Sequence, residues 1–192
     1  MKLATQRDGA GREASDAALF AAIADGDLGP LGVLFDRHHE NVRQLLLRAA
    51  PNAADIDDLV QETFLTASRA AASFDGRDSA GPFLAGVAIQ LIRRRRRTFA
   101  RLRNLLEAVG LAPTTPTRTP EDGASAAEQH EALHDAVGRL SEDRRIALVM
   151  VEWQGMSGPE VAKVLGVPVG TVWRRLHEAR AELRRSIEEG AR

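Results

Sequence analysis

From Gly155 to Arg185 the chain reads GMSGPEVAKVLGVPVGTVWRRLHEARAELRR, and this stretch leaves little freedom in how it folds. Ser157 followed three residues later by Glu160 is a capping-box start signal, and Pro159 falls in the first turn, where its missing N–H costs nothing. A short helix follows until Gly166 breaks the apolar rhythm; after Val167, Pro168 and Gly170 a second helix opens at Thr171. At roughly 100° per residue Val172, Leu176, Ala179 and Leu183 fall in a seam about 60° wide, which must be buried. The opposite face carries Thr171, Arg174, Arg175, His177 and Glu178. Two helices on a tight glycine turn, the second offering long polar side chains from its N-terminal half, have the shape of a helix-turn-helix reader of the DNA major groove. A helical hairpin with a solvated basic face is the plainer reading. Between Val167 and Arg185 five arginines stand against Glu178 and Glu182, a balance that suits phosphate contact.

The rest of the chain is also helical by its spacing, with no sustained alternation rich in β-branched residues, so the fold expected is all-α. Ser15 or Asp16 caps a first helix through Ala24, with Leu19, Phe20 and Ile23 inward. A second runs from Pro30 to about Ala49, a third from Asp55 to about Ala72, and a fourth, capped by Ser79 or Asp78, ends in Arg93 to Arg97. Pro113, Pro116 and Pro120 with threonines between them then rule out a packed element and make a linker. Beyond it, Glu128 to Leu140 forms a helix, and Ile146, Leu148, Val149, Val151 and Trp153 supply the core for the helix-turn-helix pair. The organisation expected is therefore an N-terminal extension without order (1–14), a helical domain (15–107), a flexible linker (108–127) and a second helical domain (128–188).

The net charge of -1 hides strong local asymmetry. Asp55 to Glu62 is purely acidic in its charges, whereas Arg93 to Arg103 is purely basic. On the third helix Ile56, Leu59, Val60, Thr63, Phe64, Ala67 and Ala71 make the buried side, and Asp58, Gln61, Glu62, Leu65 and Arg69 lie directly across from them. A leucine ringed by two carboxylates and an amide is odd for a solvated face and reasonable for a contact surface. Arg93 to Arg97 cover every side of their helix and repel one another unless an anion lies against them. Nucleic acid is the obvious anion; a solvated helix end and a membrane-surface patch are the other readings. His38 and His39 are adjacent, hence about 100° apart, and cannot chelate one metal as an i, i+4 pair would. With no cysteine there is no disulfide, thiolate zinc site or cysteine nucleophile. No apolar run approaches the roughly 20 residues that span a bilayer, and no signal peptide is visible, so a cytoplasmic protein without stable membrane insertion is expected.

Three of these stretches, in this order, resemble the extracytoplasmic-function (ECF) class of bacterial RNA polymerase sigma factors. DIDDLVQETF at Asp55 to Phe64 is similar to that family's acidic helix ending in Gln-Glu before an aromatic. PFLAGVAIQLIRRRRR at Pro82 to Arg97 resembles its helix that opens on tryptophan-leucine and runs into a basic tail. Within Gly155 to Arg180, Gly170-Thr171-Val172, Arg175, Leu176 and Ala179-Arg180 match closely. The resemblance implies a specificity subunit, with no cofactor, no metal and no enzymatic activity, that binds core RNA polymerase and recognises and melts promoter DNA; it admits an anti-sigma factor as a further partner. Asp58, Gln61, Glu62 and Leu65 would dock on the clamp helices of the polymerase largest subunit. Phe74, Asp75, Ser79, Phe83 and Gln90 would engage the melted promoter, Phe74 and Phe83 being the aromatics available for a flipped base, and Arg93, Arg94 and Arg97 would hold phosphates. Thr171, Arg174, Arg175, His177 and Arg180 would read or clamp the distal promoter element, and the linker would thread the polymerase's active-site and RNA-exit channels.

The chain departs from the family pattern at Phe83, where tryptophan is usual, at Gln90, where asparagine is common, and at Trp173 and Glu178, where basic residues are frequent. Two other readings compete. A response-regulator type of transcriptional regulator would share the helix-turn-helix but needs alternating strands and helices before the linker, where the spacing is helical. A magnesium-diphosphate enzyme would use Asp57, Asp58 and Glu62, yet lacks a second acidic cluster of that type.

Overall fold

The computed structural model describes residues 14–50, 55–76, 79–108 and 135–190. The expected N-terminal extension, the Pro/Thr-rich linker, Asp78 as a cap and the start of a helix at Glu128 lie outside the described residues. The elements are α1 (Asp16–Ala24), α2 (Pro30–Ala49), α3 (Ile56–Arg69), a 3-10 turn (Ala71–Ser73), α4 (Gly81–Ala108), a helical turn at 135–139, α5 (Glu142–Leu148) running straight into a π-turn (Val149–Trp153), α6 (Gly158–Leu165) and α7 (Val169–Gly190). No strand occurs among the described residues.

Local chemistry sets these boundaries. Ser15 Oγ accepts from the Ala18 N–H and so caps α1. That leaves Asp16 to turn inward, where its carboxylate accepts from the Ala80 N–H at 2.8 Å and pairs with Arg37 at 2.8 Å and His38 at 2.7 Å. Burial pushes the Asp16 carboxyl up, but the Ala80 N–H, Arg37 and His38 together outweigh burial and hold its pKa below the ordinary carboxylate value. One side chain thus ties α1 to α2 and to the entry of α4. His39 is absorbed differently, its Nδ1 within 3.0 Å of the Phe35 carbonyl and its ring stacked on Phe35. Around these contacts Leu19, Phe20, Ile23, Leu34, Leu45, Leu46, Leu59, Phe64, Leu84 and Ile89 are buried together. Each such side chain contributes about 1.5–3 kcal/mol on leaving water.

At the other end of the chain, Ser157 and Glu160 form the capping box, and Gly166 closes α6 in the left-handed region at φ 64°. The following helix begins at Val169, two residues ahead of the sequence expectation. A larger correction concerns α4, which does not stop in the arginine run but continues to Ala108.

The core expected for the C-terminal half is also divided. Leu148 packs with Val137, Leu140, Leu176 and Ala179 in a small cluster of its own. Ile146, Val149 and Met150 instead join Val161, Leu165 and the N-terminal half in one continuous apolar core. Trp153, expected inside, is 38% exposed, and the Arg48 guanidinium lies 5.6 Å from its ring centroid. The π-turn explains the change: the Gln154 N–H reaches back five residues to the Val149 carbonyl, and the added residue rotates the helix so that Val149 and Met150 face inward and Trp153 outward.

Candidate functional site

The acidic stripe of α3 lies where helical geometry puts it. Asp58 and Gln61 are exposed, Leu65 is 50% exposed, and Leu59, Val60, Phe64 and Ala67 on the other side are buried. Glu62 is half-buried at the edge of the stripe, because its carboxylate accepts from Arg95 at 2.8 Å. Next to it Arg43 pairs with Asp57 at 3.2 Å. The result is a ridge with an apolar centre and an acidic rim, held on a rigid helix.

Around the loop after α3 the aromatics gather. Phe74 stacks on Phe20 with centroids 4.7 Å apart, and Phe83 meets both rings edge-on at 5.3 and 5.4 Å. Phe74 and Phe83 are therefore half-buried in a trio with Phe20, a partner that the sequence reading placed only in the core. Ser79 is exposed, and its hydroxyl accepts from the Gly81 N–H at the start of α4. From this corner a cavity of about 750 Å³ opens toward α6, lined by Thr66, Asp75, Phe83, Gln90, Arg94 and Arg97 on one side and by Met156, Lys163 and Val164 on the other. Arg94, Arg97, Asp75 and Gln90 are exposed at its mouth.

Arg93 departs from the expectation. Its guanidinium donates to the Leu165 carbonyl at 3.0 Å and lies 3.6 Å from Asp143, both in the C-terminal half. The arginine run is likewise compensated from within: Arg95 pairs with Glu62 and Arg96 with Glu142. The anion that such a helix demands is supplied in part by the chain's own carboxylates.

A second correction falls on α7. Val172, Leu176 and Ala179 are buried as expected, and Arg174, His177 and Arg180 are exposed, with Thr171 half-buried. Arg175, however, keeps only 14% of its side chain exposed, donates to Asp143 at 2.6 Å, and has its Nη1 buried without a hydrogen-bond partner. The physical reason is angular: Arg175 lies only about 70° from the centre of the buried seam, on a flank that α5 covers, and not across from it. Glu178 accepts from Arg144 and Arg174, both at 3.0 Å, and Arg144 in particular holds its carboxyl below the usual range. Arg180 pairs with Glu152. Trp173, half-exposed, lays its ring over Gly158 so closely that a Cβ there would run into it.

Sequence reasoning missed Glu142, Asp143 and Glu152, the carboxylates that occupy these arginines. Two acids in the first turn of a helix are ordinary complements to its dipole and gave no signal of a tertiary role. Among the described residues no cluster of three His, Asp or Glu side chains is placed to hold a metal ion, and no helix is long and apolar enough to cross a membrane.

Comparison with known proteins bears directly on the two halves. Residues 34–102 match the family Sigma-70 region 2, and residues 130–183 match Sigma-70, region 4. The chain is 33% identical over 179 residues to the ECF RNA polymerase sigma factor SigM of Mycobacterium tuberculosis, covering 93% of this chain and 88% of that one. Among solved structures it is similar to CnrH in complex with the cytosolic domain of CnrY, at TM-score 0.61 and 29% identity over 91% of this chain and 97% of that one. The sigma factor RpoE of Bartonella quintana, in complex with the anti-sigma factor NepR, shares the fold at TM-score 0.65, with 21% identity over 80% of this chain and 94% of that one. A two-region helical chain with an acidic-rimmed ridge before a capped helix-turn-helix, related to sigma factors along nearly its whole length, belongs to the ECF family of RNA polymerase sigma factors and directs transcription initiation.

Proposed function

We propose that the α3 ridge of Asp58, Gln61, Glu62 and Leu65 is the surface that docks on the clamp helices of the polymerase largest subunit. The observation that supports this reading most is the exposure of Leu65 between acidic and amide side chains, directly across from the helix's buried face. In this reading residues 15–107 dock and melt, 108–127 link, and 128–188 read the distal promoter element. Phe74, Asp75, Ser79, Phe83 and Gln90 form the wall and floor for melted DNA, the half-buried aromatic trio giving a flipped base a rigid surface to stack on. Arg94 and Arg97 hold phosphates at the cavity mouth, and Arg93 joins them once it leaves the C-terminal half.

On α7, Thr171, Arg174, His177 and Arg180 face the major groove, and Arg175 serves first to fix α7 against α5. The protein acts as a dissociable, non-enzymatic specificity subunit in the cytoplasm, where core polymerase works. CnrH and RpoE are each held by a partner, CnrH by the cytosolic domain of CnrY and RpoE by the anti-sigma factor NepR. An anti-sigma factor is proposed for this chain on that likeness.

Transcription reconstituted from core RNA polymerase and fragments of the native genome tests the reading. Discrete transcripts that require the chain are expected. Transcripts identical with and without it would contradict the assignment.

A further inference from the structure

We infer that Trp173 is a base-reading residue of α7, its indole recognising the 5-methyl group of a thymine in the major groove of the distal promoter element. This rests on the role proposed above for α7 and adds a contact that its charged residues cannot make. Position, rigidity and chemistry each support it.

Helical geometry puts Trp173 about 90° from the centre of the buried seam, on the flank opposite Arg175. Val169, the first residue of α7, and His177 lie four residues to either side of it, so the three form a strip along the first turns of the helix. All three are exposed, Trp173 to 49% and Val169 to 37%. Two neighbouring apolar side chains thus open to solvent at the N-terminal end of a reading helix, the part that meets base edges.

The indole is also held in place. It rests over Gly158, the buried first residue of α6, where an added Cβ would run into Cζ2, Cε2 and Cη2 of the ring. The Ser157–Glu160 capping box fixes that turn of α6 in its own position. A ring seated on a fixed backbone offers its remaining surface in one orientation, so little further ordering is needed when a ligand meets it.

The strip is not built to clamp phosphate. Val169 and Trp173 carry no charge, and the arginines nearest to them are engaged, Arg174 with Glu178 at 3.0 Å and Arg180 with Glu152. In a duplex the base faces are covered by their neighbours, so only edges are within reach. Thymine is the base whose major-groove edge carries an apolar group, and apolar side chains select it by that methyl.

Deoxyuridine lacks only this methyl and supplies the test. Transcription reconstituted with core polymerase locates a promoter, each thymine of its distal element is replaced singly by deoxyuridine, and binding of the chain–polymerase complex is measured. At one position wild-type binding should weaken by about fourfold, the effect of withdrawing one methyl group from apolar contact. Trp173→Lys should bind thymine and deoxyuridine equally there, whereas Trp173→Phe should keep most of the difference. A ring with a purely structural role would change affinity for both DNAs alike and leave their ratio as in the wild type. An unchanged ratio in Trp173→Lys, a distal element in which no methyl matters, or one without thymine overturns the inference and leaves the DNA-reading role of α7 intact. A complex that protects no distal element removes that role and the inference together.

Discussion

The two surfaces that chemistry marked for partners, the acidic ridge of α3 and the cationic face of α7, have opposite fates in the folded chain. On α3 the centre of the ridge faces outward, and among the described residues its edge residue Glu62 is engaged by Arg95. On α7 Arg174, Arg175 and Arg180 are all paired with carboxylates of the same chain. The difference follows from position around the helix and from what packs nearby. Asp58, Gln61 and Leu65 lie across from a buried face and are exposed. Arg175 lies on a flank that α5 covers, and its long side chain bends toward the nearest acid. A surface opposite the core is open by geometry, whereas a flanking surface is open only if the neighbouring helix has nothing to offer it.

The comparison breaks most visibly if the ridge is neutralised. Asp58→Lys combined with Leu65→Lys places two like charges where an acidic rim is required, and polymerase binding should weaken by about 2–5 kcal/mol. Circular dichroism should stay unchanged, since neither residue contributes to the core. Full binding by the folded double variant would strip α3 of its role.

The next effect in size concerns what holds the ridge and the aromatic corner in place. Asp16→Ala removes the acceptor of the buried Ala80 N–H together with the Arg37 and His38 contacts to Asp16, and should cost about 1–3 kcal/mol in chemical unfolding. Its pH dependence has a definite sign. The Asp16 carboxyl has a folded pKa below its unfolded value of about 3.9, so its contribution is full above that pH and is lost as pH falls through the folded pKa. Stability measured between neutral and acidic pH should therefore decline less steeply in Asp16→Asn than in the wild-type chain. Parallel declines would assign acid sensitivity elsewhere.

On α7 the contrast sharpens between neighbours. Arg175→Ala should lower stability by about 1–2 kcal/mol, because it removes a largely buried, charge-assisted hydrogen bond. Arg174→Ala, on the exposed side, should stay within about 0.5 kcal/mol while weakening promoter affinity. Equal stability losses at both positions would erase the distinction between a fixing and a reading arginine. Gly158→Ala is the smallest of the set: displacing the Trp173 ring should change tryptophan fluorescence with a stability loss of about 1 kcal/mol, and an unchanged spectrum would mean that the ring does not rest there.

Helical order, the caps at Ser15 and Ser157, the glycine stop at Gly166 and the α3 ridge were all legible in the sequence, because each depends on neighbours within about one or two turns. The features that were not legible depend on distant partners. Nothing local distinguishes a π-turn at Val149–Trp153 from continued α-helix, so Trp153 was placed inside when the extra residue turns it out. Arg93 and Arg175 were read as outward cations because Asp143, the residue that captures both, belongs to another helix and to no motif. The arginine run was correctly read as needing an anion; that Glu62 and Glu142 supply part of it is a tertiary fact. Phe74 and Phe83 were identified as the available aromatics, but their half-burial against Phe20 depends on α1 folding over the loop after α3.

The claim on which the rest depends, that the chain rides on polymerase through α3, is tested most directly by replacing Leu65 with a photo-crosslinking residue and irradiating the chain with core RNA polymerase. The expected product joins position 65 to the clamp helices of the largest subunit. Crosslinking to a different subunit, or none from a chain that still co-elutes with polymerase, would contradict it.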